Sequence, residues 1–203
     1  MAGAGITAAE PSDRERIAAA LAAAFLDDPV TTWAVPADRY RAAVIRHFFR
    51  CYFDFHHGEG TVYVDPERRG AAVWALPGNW KTTARQDLQI SRSFAHPRHW
   101  LRAPTVAAGL LGLERKHPPA PPHFYLASLG VEPDHQGRGL GSRLLEPVLS
   151  ICDSDGVPAY LESSKESNIA FYARHGFRVT EELKLSRRGP TMWPMWREPR
   201  SAT

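Results

Sequence analysis

The stretch DHQGRGLGSRLLEPVLS, residues 134–150, sets Gly137, Gly139 and Gly141 within five positions and runs straight into a helical apolar pattern. Glycine costs conformational entropy, so three of them here imply a need for backbone free of side chains. A helix amino terminus offers unpaired amides and the positive end of a dipole, which together make an anion site. Gln136, Arg138 and Ser142 share the turn, where Arg138 reads equally as a solvated loop residue and as a charge-assisted contact to an anion. Two common phosphate motifs do not fit. A P-loop needs lysine and then Ser or Thr after its last glycine, whereas Gly141 is followed by Ser142 and Arg143. A dinucleotide fingerprint needs G-x-G-x-x-G, and no third glycine stands at that offset. The next residue with chemical promise is Glu162, a carboxylate inside the apolar strand VPAYLESS, where it is expensive unless paired or functional. The nine histidines, the neighbours His56 and His57 included, show no ligand spacing on a convincing helix, so no metal is expected.

These residues need elements to hold them. HFYLASLGV reads as a strand leading into the glycine turn, and VPAYLES as the strand carrying Glu162. Between them a helix from about Gly139 to Asp155 turns Leu140, Leu144, Leu145, Val148, Leu149 and Cys152 inward. SNIAFYARHG is a short helix stopped by Gly176, and FRVTEELKL and TMWPMWRE are two closing strands. Upstream, residues 11–28 read as one helix, with Ser12 as N-cap, Glu15 at capping-box spacing, and Ile17, Leu21 and Phe25 on one face. Pro29 ends it, and DDPVTTWAVP is a loop. A second helix spans about Ala37 to Phe55 and buries Val44, Phe48, Cys51, Tyr52 and Phe55. GTVYV and GAAVWALP are short strands around the turn DPERRG. Residues 78–121 look helical in pieces, broken at Pro97 and Pro104, and finish in the proline-rich connector KHPPAPP. Alternating strand and helix in the second half point to a mixed α/β sheet. The length of 203 residues fits one domain, with a helical insert near 78–121.

Composition closes off several classes. A net charge of +3, spread along the chain, argues against a dedicated nucleic-acid binder, and an apolar share of 43% is that of an ordinary globular protein. No stretch is long enough to span a bilayer, and no basic segment leads into an apolar run at the start, so neither a membrane partner nor a signal peptide is expected. Cys51 and Cys152 lie in apolar helical stretches and read as free thiols in a reducing cytoplasm. A homodimer is compatible with the sequence, which does not decide the oligomeric state.

The pattern Q-x-x-G-x-G after a strand ending in LGV, an amphipathic helix, and then FYARHGF resembles the GNAT superfamily of acyl-CoA-dependent N-acetyltransferases. The resemblance is strong over roughly residues 123–179 and rests on element order before that. VEPDHQGRGLGS, GVPAYLESS and NIAFYARHGF look most like the puromycin N-acetyltransferase group of antibiotic-modifying enzymes.

The resemblance implies a mostly antiparallel twisted sheet, flanked by helices and splayed where acetyl-CoA binds. The coenzyme A pyrophosphate would lie across the amides of Gly137, Arg138, Gly139, Leu140, Gly141 and Ser142, beside Gln136. Leu129, Gly130 and Val131 would pair their backbone with the pantetheine arm as an added strand does. Tyr172 takes the position of the acid that protonates the coenzyme A sulfur, and Glu162 that of a general base acting directly or through water. The strand before the glycine turn, where members often carry a glutamate, offers only Ser128, which raises the claim of Glu162. Many members have asparagine seven residues before the tyrosine; here Lys165 stands there, and Asn168 either caps the short helix or reaches the pantetheine.

Acetyl transfer would go to a primary amine on a small molecule, such as a puromycin-like antibiotic, by direct attack in a ternary complex, since neither cysteine is near a motif. Asp27 and Asp28 could attract the cation and Trp33, Trp74, Trp193 and Trp196 could wall it in, although the simpler reading of each is a helix-end charge or a core aromatic. The alternatives are acetylation of a polypeptide and a non-catalytic acyl-CoA-binding module.

Overall fold

Strand β3 (Gly70–Ala75) is buried along its whole length, and its alternating side chains build two cores. Ala71 and Val73 face Ile17, Leu21, Ile45, Phe49 and Phe53 from the first helices, whereas Ala72 and Trp74 face Leu126, Leu144, Leu145 and Val148 on the other side. A helical layer therefore covers each face of the central sheet. The computed structural model describes residues 5–92 and 102–200. Its strands are β1 (Thr7–Ala8), β2 (Val62–Val64), β3, β4 (Phe124–Val131), β5 (Ala159–Ser163), β6 (Arg178–Val179), β7 (Leu183–Lys184) and β8 (Thr191–Arg197). The helices, in chain order, are α1 (Arg14–Ala24), α2 (Pro29–Ala34), α3 (Arg41–His56), α4 (Ala84–Ser91), α5 (Ala103–Lys116), α6 (Leu140–Asp155) and α7 (Ile169–Arg174).

The sheet runs β1-β2-β3-β4-β5-β8-β6, with β7 also on β8. Every pair is antiparallel except β4 with β5. This is the mixed, mostly antiparallel sheet expected. The exception matters most. β4 and β5 pair only at Phe124↔Ala159, Tyr125↔Tyr160 and Leu126↔Leu161. Beyond that point β4 continues against β3 alone, while Glu162 and Ser163 pair with Pro194 and Trp193 of β8. The sheet thus splits into a V, leaving one edge of residues 127–131 without a strand partner.

All six residues read as the inward stripe of α6 are buried. Full burial of a leucine there contributes about 2–3 kcal/mol, enough to fix the orientation of the helix and of the glycine turn before it.

Several expectations are corrected. Residues 11–28 are not one helix: Pro11–Asp13 form a 3-10 turn, α1 follows, and Ser12 is no N-cap. Asp13 closes that start instead, its carboxylate accepting from the Glu10 amide at 3.0 Å and from Arg68 at 2.8 Å. Nor does Pro29 begin a loop. It occupies the first position of α2, where a missing N–H costs nothing, and Asp28 caps the helix by accepting from the Val30 and Thr31 amides at 2.9 and 3.3 Å.

The buried face of α3 is Ile45, Phe49, Phe53 and His56 with Cys51, one residue out of step with the stripe expected. Both stripes are apolar, so periodicity alone could not choose; Phe48 and Tyr52 end up half-buried. Finally, FRVTEELKL is two short strands rather than one. Pro194 in β8 has no N–H to offer the ladder, and its carbonyl takes both the amide and the hydroxyl of Thr180.

Among the described residues of the segment 78–121 the helical pieces are α4 and α5. Pro104 stands in the first turn of α5 and does not break it. Pro97 lies outside the described residues.

Candidate active site

The V between β4 and β5 is the mouth of a groove of about 410 Å³. Its wall on one side is the free edge of β4, including Leu129, Gly130 and Val131. Its end is the glycine turn and the amino terminus of α6, with Gln136, Gly137, Gly139, Leu140, Gly141 and Ser142 on the surface. The glycines have separate reasons. Gly137 and Gly139 hold φ of +73° and +76°, a region that L side chains enter at a cost, and Gly139 is the residue from which α6 starts. Gly141 has ordinary backbone, but an added Cβ would come within 3.3 Å of the Phe171 ring.

Gln136 turns inward: its amide donates to the Val131 carbonyl at 2.9 Å and clamps the end of β4 to the turn. Ser142 is held by the His175 ring at 3.0 Å, which ties α7 to the start of α6. Arg138 is exposed and its side chain is not part of the groove surface; Arg174 and Lys165 are. Sequence reasoning missed Arg174, although it lies in the same FYARHGF stretch as Tyr172. Asn168 borders the groove too, and its side chain makes no capping hydrogen bond to α7.

Tyr172 and Glu162 both line this groove. Tyr172 is buried, in edge contact with the Phe171 ring at 5.1 Å. Burial, followed by the negative charge of Asp28, raises its pKa well above the usual phenol value, so the group keeps its proton at neutral pH. Glu162 has a side chain only 5% exposed. The Tyr125 hydroxyl donates to its Oε2 at 2.7 Å, and the Nδ1 atom of His117 lies 3.6 Å from its Oε1. Glu162 is therefore a paired carboxylate that still borders the groove. His117 was not singled out from the sequence; only its place within the connector KHPPAPP marked it.

Asp28 is not a surface charge. It is buried, lines the groove and accepts the Ser164 hydroxyl in addition to its two amides. Asp27 is exposed and outside the groove surface. Trp74 is core, while Trp33, Trp193 and Trp196 are half-buried elsewhere. Ser128 sits on the groove wall with its hydroxyl turned back to the Ala127 carbonyl at 2.7 Å. Both cysteines are free and buried, and burial pushes the Cys152 thiol up to about 12, which keeps it un-ionised. Among the described residues no group of three or more His, Cys, Asp or Glu side chains is arranged to hold a metal. Nor is any described helix long and apolar enough to cross a membrane.

Comparison with known proteins gives the fold its family. A family model described as Acetyltransferase (GNAT) matches residues 71–177. An uncharacterized N-acetyltransferase of Schizosaccharomyces pombe is 28% identical over 193 residues, covering 88% of this chain and 76% of that protein. Among solved structures, a histone acetyltransferase HPA2-related acetyltransferase from Corynebacterium glutamicum superposes with a TM-score of 0.69 at 22% identity, covering 99% of both chains. Arylalkylamine N-acetyltransferase 2 from Aedes aegypti reaches a TM-score of 0.61 at 13% identity, covering 96% of this chain and 98% of its own. Members of the matched family use acetyl-CoA as acetyl donor. With a family model that runs from β3 to α7 and covers more than half of the chain, this chain belongs to the GNAT family of acetyltransferases.

Proposed function

We propose that the protein transfers the acetyl group of acetyl-CoA to a primary amine on a small molecule, by direct attack in a ternary complex. One observation carries the reading: a single groove brings together unpaired β4 backbone, the α6 amino terminus, Tyr172 and Glu162. In it the pyrophosphate lies against the amides of residues 137–142, with Arg174 and Lys165 as the nearby cations, and the pantetheine runs along residues 129–131. Gln136 and Asn168 hold the two sides of that channel, while Arg138 contributes backbone only. The thioester then lies between Tyr172, which protonates the departing thiolate, and Glu162, which takes a proton from the incoming ammonium. A cytoplasmic setting accords with two free thiols.

A small amine is favoured because the matched fold includes an enzyme named for arylalkylamines. The likeness to the puromycin group keeps an aminonucleoside among the acceptors to be tried. A polypeptide acceptor is the second reading, supported by the similarity to a structure described as histone acetyltransferase-related.

The test is thiol release from acetyl-CoA with 2-phenylethylamine, agmatine, puromycin, a peptide with a free amino terminus and a lysine-bearing peptide. Release with at least one small amine is expected. Release with peptides alone would move the function to polypeptides, and coenzyme A binding without any release would mean a binding module. The placement of the donor has its own check. Acetyl-CoA should raise Tm, by about 2.7 kcal/mol of added stability at a hundred times its Kd. In Gly139→Val that shift should vanish, because a β-branched residue at φ +76° forces the turn out of shape. Retention of full acetyl-CoA affinity by the folded variant would show that the phosphates lie elsewhere.

A further inference from the structure

Behind Glu162 lies a buried histidine pair that the mechanism so far leaves idle. α5 runs into His117, the proline-rich connector reverses the chain, and His123 precedes β4. Nε2 of His117 is 2.9 Å from Nε2 of His123, and Nδ1 of His123 is 2.8 Å from the Pro121 carbonyl. A carbonyl only accepts, so His123 carries its proton on Nδ1. Burial lowers the pKa of His123, so it is neutral and its Nε2 is a bare lone pair. His117 must then donate from its own Nε2. In a neutral His117 this leaves Nδ1 as a second bare lone pair, facing Glu162 Oε1 at 3.6 Å. Two lone pairs in opposition repel, and one added proton turns the contact into an ion pair.

We propose that His117 is the positioning residue of Glu162, and that the two together hold the proton removed from the acceptor ammonium. The proposal rests on Glu162 being the base. Its other supports are local. His117 stands at the carboxyl end of α5, where the last carbonyls and the helix dipole favour a cation. The Trp80 ring stacks on its imidazole with centroids 3.6 Å apart and planes 14° apart, an arrangement that also favours the charged form. Glu162, nearly closed off from solvent and held by the Tyr125 hydroxyl, gains a counter-charge at the moment its proton passes to His117.

The protons balance. An N–H bond of the ammonium breaks and an O–H bond forms on Glu162; the proton then moves to Nδ1 of His117, leaving carboxylate and imidazolium. The freed amine lone pair attacks the thioester carbon, the C–N bond forms and the C–S bond breaks. The departing thiolate takes its proton from Tyr172, which is restored by the second proton leaving the nitrogen. The net proton released by the reaction rests on the His117–Glu162 pair until product leaves.

The other ionisable groups packed around the pair do not compete. Tyr52 of α3, Tyr125 of β4 and Tyr160 of β5 are all pushed above the phenol range, by burial first and by Glu162 second. Asp87 of α4 acts on Tyr52 and Glu181 on Tyr160. Lys81 lies 5.1 Å from the Trp80 ring and 4.0 Å from Glu114.

The test compares His117→Gln, Glu162→Gln and the double variant in the intact chain, with acetyl-CoA and the amine or peptide that the acceptor panel identifies. His117→Gln should lose about tenfold in kcat/KM near neutral pH, less than removal of the base itself, and regain the wild-type rate where the acceptor is already a free base. The double variant should be no slower than Glu162→Gln, because the two act as a unit. An equal loss at all pH values would make His117 structural. A pH-dependent loss in Glu162→Gln with none in His117→Gln would overturn the pair while keeping the base; no pH-dependent loss in Glu162→Gln would remove the base itself. Should His117→Gln fail to fold, imidazole nitrogen NMR on the unsubstituted protein decides. Before any acceptor is added, His123 should show the Nδ1–H tautomer and His117 a proton on Nε2 with Nδ1 bare, and an Nε2–H tautomer at His123 or an Nδ1–H tautomer at His117 would overturn the proposal.

Discussion

Glu162→Gln lowers kcat/KM for an alkylammonium acceptor by about 10²-fold or more near neutral pH, and by far less where the amine is already a free base. The asymmetry follows from what the carboxylate does. An alkylammonium has no lone pair for attack, so near neutrality its proton must be removed within the groove. Once bulk solvent has removed it, a base adds little. The substitution is gentle on the fold: a glutamine oxygen can still accept the Tyr125 hydroxyl that now sits 2.7 Å from Oε2, and a buried charge is replaced by a neutral group of the same shape. A pH–rate profile of both proteins across the titration of the acceptor checks the claim. A loss of constant size would mean that Glu162 holds the strand in place and takes no proton. Acetyl-CoA affinity, read from the Tm shift, should be unchanged, since the donor lies against the glycine turn.

What could be read from the sequence was what is local. The glycine turn, the inward stripe of α6 and the strand–turn–helix order are set by residues within a few positions of each other, and all three are where they were expected. Glu162 announced itself as a charge in an apolar strand, and its burial beside Tyr125 is the reason such a charge survives there. The failures were non-local. α3 presents two apolar stripes, and only the position of β2 and β3 decides that Phe49 and Phe53 go to the core while Phe48 and Tyr52 stay half-buried. Asp28 and Pro29 were read as a helix end, when the same two residues are a good N-cap and first position for a new helix; at six residues that helix is too short to show a period. His117 and His123 are separated by prolines that carry no periodic signal, so nothing short of the folded connector shows that their rings meet. Arg174, two residues after Tyr172, was overlooked because arginines in short exposed helices are usually solvated, and its place on the groove depends on how α7 docks.

Tyr172→Phe lowers kcat by roughly 10²-fold, the lower end of what general-acid assistance supplies, and leaves acetyl-CoA affinity nearly unchanged. The low end is expected because a thiolate is already a fair leaving group. The change removes one hydroxyl and keeps the ring, whose edge contact with the buried Phe177 at 6.0 Å helps hold α7 against the core. Stability should therefore move little, and proton donation is isolated from packing. The raised pKa of Tyr172, from burial and then from Asp28, gives the sign of the effect. A phenol harder to ionise than usual is present as the acid at every pH where the protein works, so the defect should be the same across neutral and alkaline pH, unlike that of Glu162→Gln. That contrast separates the two roles within one experiment. Steady-state rates can conceal the loss if product release limits turnover, so the decisive measurement is single-turnover acetyl transfer by mutant and wild type at matched stability. An unchanged single-turnover rate would return Tyr172 to the core. A defect that closed at alkaline pH would instead assign it to deprotonation of the amine, and the departing sulfur would need another donor.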